Sequence, residues 1–246
     1  MSFNAKEQKD KVVTWIRDWV ESHGSGKNVI VGISGGKDST VVAALCVEAL
    51  GKDRVIGVLL PDGRQIDIDD SFEVCRFLGI KKVAVNIGPA KDSLVFWTET
   101  EAIKPSKQAM INLPARLRMT ELYFVSQSSN GFVVNTCNFS EDYIGYSTRY
   151  GDGAGDFGPL KSFTTDEVIA IGEELGLPHH LIHKAPSDGL CGQTDEDNLG
   201  FTYDVLNRYI RTGEIDDLAV KEKIDTLHTI NEFKERVIDK YEYNPE

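Results

Sequence analysis

Residues 34–39, Ser-Gly-Gly-Lys-Asp-Ser, stand between an apolar β-branched run and a helical pattern. A strand, a glycine turn and a helix in that order aim backbone N–H groups and the positive end of a helix at one point, where a phosphate can sit. Glycine suits such a turn because a Cβ would block close approach of the backbone to an anion. A ligand-free turn would read similarly, but Ser34, Gly35, Gly36, Asp38 and Ser39 together favour a bound phosphate. The string is not the G-x-x-x-x-G-K-[ST] loop, and Gly32, Gly35 and Gly36 lack the spacing of G-x-G-x-x-G. Two other stretches could carry chemistry. Residues 136–158 are polar, glycine-rich and too long for a passive connector, which marks a functional loop. His179-His180-x-x-His183 offers histidines at helical spacing, but no cysteine pair or acidic motif completes a metal site, so these are expected as structural or exposed residues.

The elements that must hold these residues follow from periodicity. Residues 5–22 carry Val12, Val13, Trp15, Ile16, Trp19 and Val20 on one wide face, an amphipathic helix against a sheet. Residues 28–33 read as a buried strand, and the helix after the glycine turn spaces Val41, Val42, Leu45, Cys46 and Ala49 before Gly51 stops it. Strand 54–60, helix 67–78, strand 82–87, helix 92–103, a loop over 105–112, a helix from Pro114 to Ser126 and strand 132–135 complete the alternation. Helix 165–175, a loop over 185–194 and helices over 195–210 and 216–240 follow. Strands alternating with helices predict an α/β fold: an open, doubly wound parallel sheet with helices on both faces, right-handed crossovers and a helical C-terminal part. One domain is expected over 1–246, with its α/β core over about 25–185 and C-terminal helices over about 195–240.

The totals narrow the function classes. The chain has 246 residues, a net charge of −12 and 41% hydrophobic residues, with no run long enough for a membrane helix. That charge argues against broad binding to nucleic acid or anionic membranes. The polar start is unlike a signal peptide, and the widely separated Cys46, Cys75, Cys137 and Cys191 fit a reducing compartment, so a cytoplasmic location is expected. Asn138-Phe139-Ser140 matches a glycosylation sequon, read here as a coincidence.

The turn S-G-G-K-D-S resembles the pyrophosphate loop of the N-type ATP pyrophosphatases, which cleave ATP between the α and β phosphates and activate a carboxylate as an adenylate. Three further strings narrow the likeness: L-P-D-G-R-Q-I-D-I-D-D, N-T-C-N-F-S-E-D-Y-I-G-Y-S-T-R-Y-G-D-G-A-G-D, and H-K-A-P-S-D-G-L-C-G-Q-T-D-E-D-N-L-G. Together they resemble the ammonia-dependent NAD synthetases, from the glycine turn to about residue 235. The resemblance implies a Rossmann-like fold of the ATP pyrophosphatase type and an ATP cradle of Gly32, Ile33, Ser34, Gly35, Gly36, Lys37, Asp38 and Ser39, joined by Thr136, Thr165 and Ser187. It implies Mg²⁺ on Asp38 and Glu141, which suits a hard cation shared with phosphate oxygens. Asp38, Glu141 and Lys37 become the expected catalytic set, and Arg116, Arg149, Asp156 and Lys234 the grip on deamido-NAD. Many relatives carry a lysine at the Thr165 position, a charge that Lys161 or Lys37 would supply here; Phe233-Lys234 stands for a His-Lys pair. Taken alone, Glu141 and Asp142 would read as a solvated loop edge and Arg116 as a salt-bridge residue.

The implied reaction amidates deamido-NAD to NAD with ammonia through an adenylate, releasing AMP and pyrophosphate. ATP is co-substrate, a homodimer is the expected assembly, and no glutaminase region is expected. Two rivals stand beside it: a tRNA-modifying adenylating enzyme of the same ATP-pyrophosphatase group, and a regulatory module that binds ATP without turning it over.

Overall fold

Val29, Ile30 and Val31 have no solvent exposure, and the molecule is built outward from the strand that carries them. The computed structural model describes residues 3–184 and 195–244. Among these, β1 (Asn28–Gly32), β2 (Val55–Leu59), β3 (Lys81–Ala84) and β4 (Gly131–Val133) form one parallel sheet in the order β3-β2-β1-β4. Register pairs Val29 with Val55 on one side and with Phe132 on the other. Since β1 and β2 are buried on both faces, they read as continuous apolar runs rather than alternating ones.

Helices cover both faces, as expected for a doubly wound sheet. α1 (Ala5–Gly24), α2 (Lys37–Leu50), α3 (Ile68–Leu78) and, further along, α7 (Thr165–Glu174) and α8 (His179–Ile182) share one core around Ile16, Leu45, Val74, Ile171 and Ile182. α5 (Lys107–Ser128) closes the other face through Met119, Leu122 and Val125 against Ile30, Val58 and Val133. Each such side chain contributes about 1.5–3 kcal/mol when fully withdrawn from water. α4 (Gly88–Thr100) lies beside α5 and leaves Phe96 and Trp97 exposed. A third cluster forms the helical C-terminal part: Ile144 of α6 (Phe139–Ile144) packs with Leu199 of α9 (Asp195–Leu199), Leu206 of α10 (Tyr203–Thr212) and Ile224 of α11 (Leu218–Asn231).

Four sequence expectations need correction. α5 starts at Lys107, not at Pro114, because the Ser106 side chain caps it by accepting from the Ala109 N–H at 3.2 Å. Pro114 therefore sits buried inside the helix, where its missing N–H leaves one backbone acceptor without its helical partner. The 136–158 stretch is not all loop: it contains α6, started by a reciprocal Asn138–Glu141 capping box. The helix expected over 195–210 is two, because Gly200 takes φ +73 and Thr202 caps a fresh start. The helix expected over 216–240 ends at Asn231, with a 3-10 turn over Glu232–Lys234. There the chain exchanges helical partners for tertiary ones, Asn231 donating to the Ile144 carbonyl and Lys234 to the Gly145 carbonyl. The loop expected over 185–194 lies outside the described residues.

Candidate active site

The strand order places a topological switch between β1 and β4: the chain winds away from β1 through β2 and β3, then returns to its other side. Loops leaving the carboxyl ends of such a strand pair diverge and open a crevice, the usual ligand site of open α/β sheets. The glycine turn leaves β1 there, and the segment leading to α6 leaves β4. Within the turn, the Ser34 and Ser39 hydroxyls lie 3.1 Å apart, the Gly36 N–H donates to Ser34 Oγ, and Thr40 Oγ1 donates to the Gly36 carbonyl at 2.7 Å. Gly35 has φ +81, and a Cβ there would lie 2.9 Å from the Asp70 Cβ and 3.0 Å from the Ser71 nitrogen. Glycine is thus required by the start of α3 as well as by any anion. Gly35→Ala is expected to cost about 1–3 kcal/mol and to abolish the thermal shift expected on adding ATP, both read by scanning fluorimetry. An unchanged midpoint with an unchanged ATP shift would show the turn to be adaptable.

Lys37 and Asp38 open α2, and the lysine is buried, its side chain only 5% exposed. Its ammonium lies 3.0 Å from Asp38 Oδ2. Burial works to lower the Lys37 pKa, but Asp38, Glu141 and Asp195 outweigh it and hold the ammonium above its ordinary value. The other oxygen of Asp38 accepts from Asn138 Nδ2 at 3.0 Å. Asn138 Oδ1 in turn accepts the Glu141 N–H at 3.1 Å, and Glu141 Oε2 accepts the Asn138 N–H at 3.3 Å. Glu141 is not a solvated loop edge: burial first, then the neighbouring Asp38 charge, push its carboxyl well above the usual range, against the opposing pull of Lys37. The Tyr203 hydroxyl is buried without a hydrogen-bond partner among the described residues, and the Lys37 ammonium lies 5.9 Å from its ring centre.

This arrangement fits a divalent cation. Among the described residues no three His, Cys, Asp or Glu side chains group as a self-sufficient metal site. Two acidic side chains, the charge of Asp38 raising the Glu141 carboxyl, are nevertheless what Mg²⁺ needs when phosphate oxygens and water complete its shell. The histidines stand apart in surface pairs, His180 with Glu73 and His183 with Glu173, each at 3.0 Å.

The expected substrate residues divide into two groups. Arg116 of α5 donates from Nε to the Arg149 carbonyl at 3.3 Å, so the two arginines meet. The Arg149 guanidinium lies 5.1 Å from the Tyr150 ring and 5.2 Å from the Phe233 ring, and its Nη2 donates to the Arg236 carbonyl. Lys234 joins this side, donating to the Gly145 and Ser147 carbonyls at 2.6 and 3.1 Å. Asp156 sits instead at the edge of β4, where its carboxylate accepts the Val133 N–H at 2.7 Å and the Tyr123 hydroxyl at 3.4 Å. Thr136 lies on the segment leaving β4, half-buried. Thr165 is buried at the start of α7, its N–H donating to Ser140 Oγ at 3.1 Å and its hydroxyl without a partner among the described residues. Of the two lysines that could replace the family's charge there, Lys37 belongs to the glycine turn, whereas Lys161 bridges Asp142 and Glu235 at 2.6 and 2.8 Å. Ser187 lies outside the described residues.

Sequence reasoning gave no site role to Asn138, read only as part of a chance sequon, nor to Asn135 and Tyr203. Asn135 is buried and pins the loop, donating to the Asp152 and Ala154 carbonyls, each at 2.9 Å. The Asn138 signal was legible as a capping pattern, an N-cap residue three before a glutamate. Tyr203 carried none, because an aromatic residue opening a helix reads as core.

The chain is similar to known proteins over most of its length. The NAD synthase family model matches residues 8–244. The NH(3)-dependent NAD(+) synthetase of Pyrococcus horikoshii is 38% identical over 202 residues, 82% of this chain and 77% of that one. Among solved structures, the NMN synthetase from Francisella tularensis superposes with a TM-score of 0.90 at 32% identity, covering 98% of this chain and 100% of that one. The NH3-dependent NAD synthetase from Campylobacter jejuni gives 0.80 at 27% identity, covering 98% and 100%.

Proposed function

The chain belongs to the NAD synthase family, and from that premise we propose that the crevice between β1 and β4 amidates deamido-NAD to NAD with ammonia at the expense of ATP. The observation that carries the reading is the convergence of Asp38 and Glu141 on Asn138, from the carboxyl ends of two different strands and beside a glycine turn, in a chain that also pairs Arg116 with Arg149. The nicotinate carboxylate attacks the α-phosphorus of ATP, pyrophosphate leaves, and ammonia then attacks the activated carbonyl and displaces AMP. Neutral ammonia is itself a competent nucleophile, so the protein's contribution is positioning and charge stabilisation rather than a covalent residue.

The residues divide that task. The Gly35–Gly36 amides and the hydroxyls of Ser34 and Ser39 cradle phosphate oxygens, with Lys37 supplying a cation at the leaving pyrophosphate. Asp38 and Glu141 would hold Mg²⁺, which when bound neutralises phosphate charge. Arg116 and Arg149 offer guanidinium forks to the substrate's phosphate. A regulatory ATP sensor would have no use for both an acidic pair and a second substrate's arginines, and a net charge of −12 disfavours a tRNA substrate.

A second reading concerns the size of the acid. The solved NMN synthetase superposes with the higher TM-score, 0.90 against 0.80 for the Campylobacter enzyme. It favours the mononucleotide acid in place of the dinucleotide, with the same chemistry at the carboxylate. One assay tests both: purified protein with ATP, Mg²⁺ and ammonium, and either acid in turn, following AMP and the amide product. Amide and AMP appearing together, and only with ammonium, establish the reaction; the ratio of kcat/KM for the two acids assigns the substrate. AMP without amide would leave the turn chemistry intact and refute both acids.

Assembly as a homodimer is the companion proposal. α4 and α5, which pack together, expose Phe96, Trp97, Met110, Ile111 and Phe124, with the Phe96 and Trp97 ring centres 5.2 Å apart, and exposed large apolar side chains of this kind mark interaction surfaces. Sedimentation equilibrium is expected to give the mass of two chains, and Trp97→Glu to shift it to one. A wild-type monomer at micromolar concentration refutes the assignment. A cytoplasmic location is supported by Cys46, Cys75 and Cys137, which are buried free thiols; burial raises the first two to about 12 and about 11.

A further inference from the structure

The geometry points to Asn138 as a positioning residue that fixes the Asp38 carboxylate relative to Glu141 and so sets how tightly the site grips a divalent cation. Asn138 is fully buried, at 0% exposure. Its carbonyl oxygen accepts the Glu141 N–H at 3.1 Å, while its amide nitrogen donates to Asp38 Oδ1 at 3.0 Å. The orientation of the amide is fixed by chemistry: turned over, it would set an oxygen against a carboxylate and an NH₂ against an N–H. Capping alone does not call for asparagine, since serine or aspartate caps a helix as well. Only a side-chain amide carries an acceptor for α6 and a donor for Asp38 on one rigid plane.

Asp38 is held from both sides, by Asn138 at one oxygen and by Lys37 at the other, each at 3.0 Å. The two donors differ in kind. An arriving divalent cation repels the Lys37 ammonium but not the neutral amide, so Asn138 is the partner that remains. Without it, Asp38 swings toward Lys37 and away from Glu141, whose charge it repels.

The inference rests on the assignment of Asp38 and Glu141 as metal ligands, and the test separates the two. Mn²⁺ is titrated into the full-length wild type, Asn138→Ser, Asp38→Asn and the double variant, with free Mn²⁺ read by EPR and folding by thermal melts. Serine keeps the cap and removes the amide N–H donor, its single shorter hydroxyl being taken up as the cap acceptor, so Asn138→Ser is expected to weaken Mn²⁺ binding about tenfold with a melting midpoint within about 2 °C of wild type. Asp38→Asn also weakens it, and in the double variant serine adds nothing further, because Asn138 acts through Asp38. Wild-type affinity in Asn138→Ser, or losses that multiply in the double variant, overturns the inference and leaves Asn138 a helix cap. If Asp38→Asn binds Mn²⁺ like the wild type, the metal assignment itself fails. Should serine leave the protein unfolded, threonine takes its place; loss of the fold in both makes Asn138 purely structural and overturns the inference.

Discussion

Asp38→Asn is expected to lower turnover by about 10²–10³-fold, a typical loss for one preorganised electrostatic contact in a water-excluded site, while the protein stays folded. The substitution keeps the shape of the side chain and an oxygen that can still accept from Asn138 Nδ2. What it removes is a negative charge 3.0 Å from a lysine that is 5% exposed. Stripping one partner from a buried ion pair ordinarily costs about 3–5 kcal/mol. Here the loss is smaller, about 1–2 kcal/mol, because Glu141 and Asp195 still face Lys37 and the Asp38 carboxylate is itself 18% exposed. In a chain of 246 residues that lowers the melting midpoint by about 2–8 °C. Rates of AMP formation beside calorimetric midpoints check both numbers. Turnover within threefold of the wild type would remove Asp38 from the catalytic set.

Glu141→Gln should move activity and stability in opposite directions. The carboxyl of Glu141 is held above its ordinary pKa by burial and by Asp38, so the folded state binds that proton more tightly than the unfolded chain does. The stability this group provides is complete below the unfolded carboxyl pKa, about 4.3, and is lost as pH rises through the folded value. Glutamine never ionises and loses nothing. The variant is therefore expected to match the wild type near pH 4 and to exceed it by at least about 1 kcal/mol near pH 8. Some slope remains in both proteins, because burial also raises Asp142, to about 6, against the opposing Lys161. Turnover should fall by about 10²-fold or more. Denaturant melts at the two pH values, beside turnover at saturating Mg²⁺, test the pair of effects. Equal stability at pH 8 would mean that Glu141 is accommodated without cost, contrary to its burial beside Asp38.

Much of this is legible in the sequence. β1 and β2 follow from apolar runs buried on both faces, whereas β3, two lysines followed by Val83 and Ala84 and largely exposed, follows from its place in the alternation of strands and helices. The glycine turn is legible from its place between a strand and a helix, whereas Asp38 and Glu141 are singled out only by the family resemblance of the strings that carry them. Pro114 misled because its preference for a first helical turn was outweighed by the Ser106 cap and by the core that α5 covers. The long 136–158 stretch concealed α6 because a six-residue helix has too few turns to show a period. Glu141 looked solvated because its burial depends on α9, α10 and α11, whose cluster closes around α6 from more than fifty residues away in sequence. Periodicity reports a residue's own element, and this burial is conferred by others.

The hydrogen bond from Asn138 to Asp38 joins residues 100 positions apart. A chain emerging from the ribosome presents its phosphate turn long before β4 and α6 exist to face it. Half of the acidic pair is then absent, so the growing polypeptide carries no assembled machinery with which to spend ATP. Competence arrives late, as one event with the docking of β4 on β1, and non-local pairing of that kind is slow to form. Catalytic turnover should accordingly be a faithful gauge of complete folding: on refolding from denaturant it is expected to return in step with the slowest structural phase and not with the first helices.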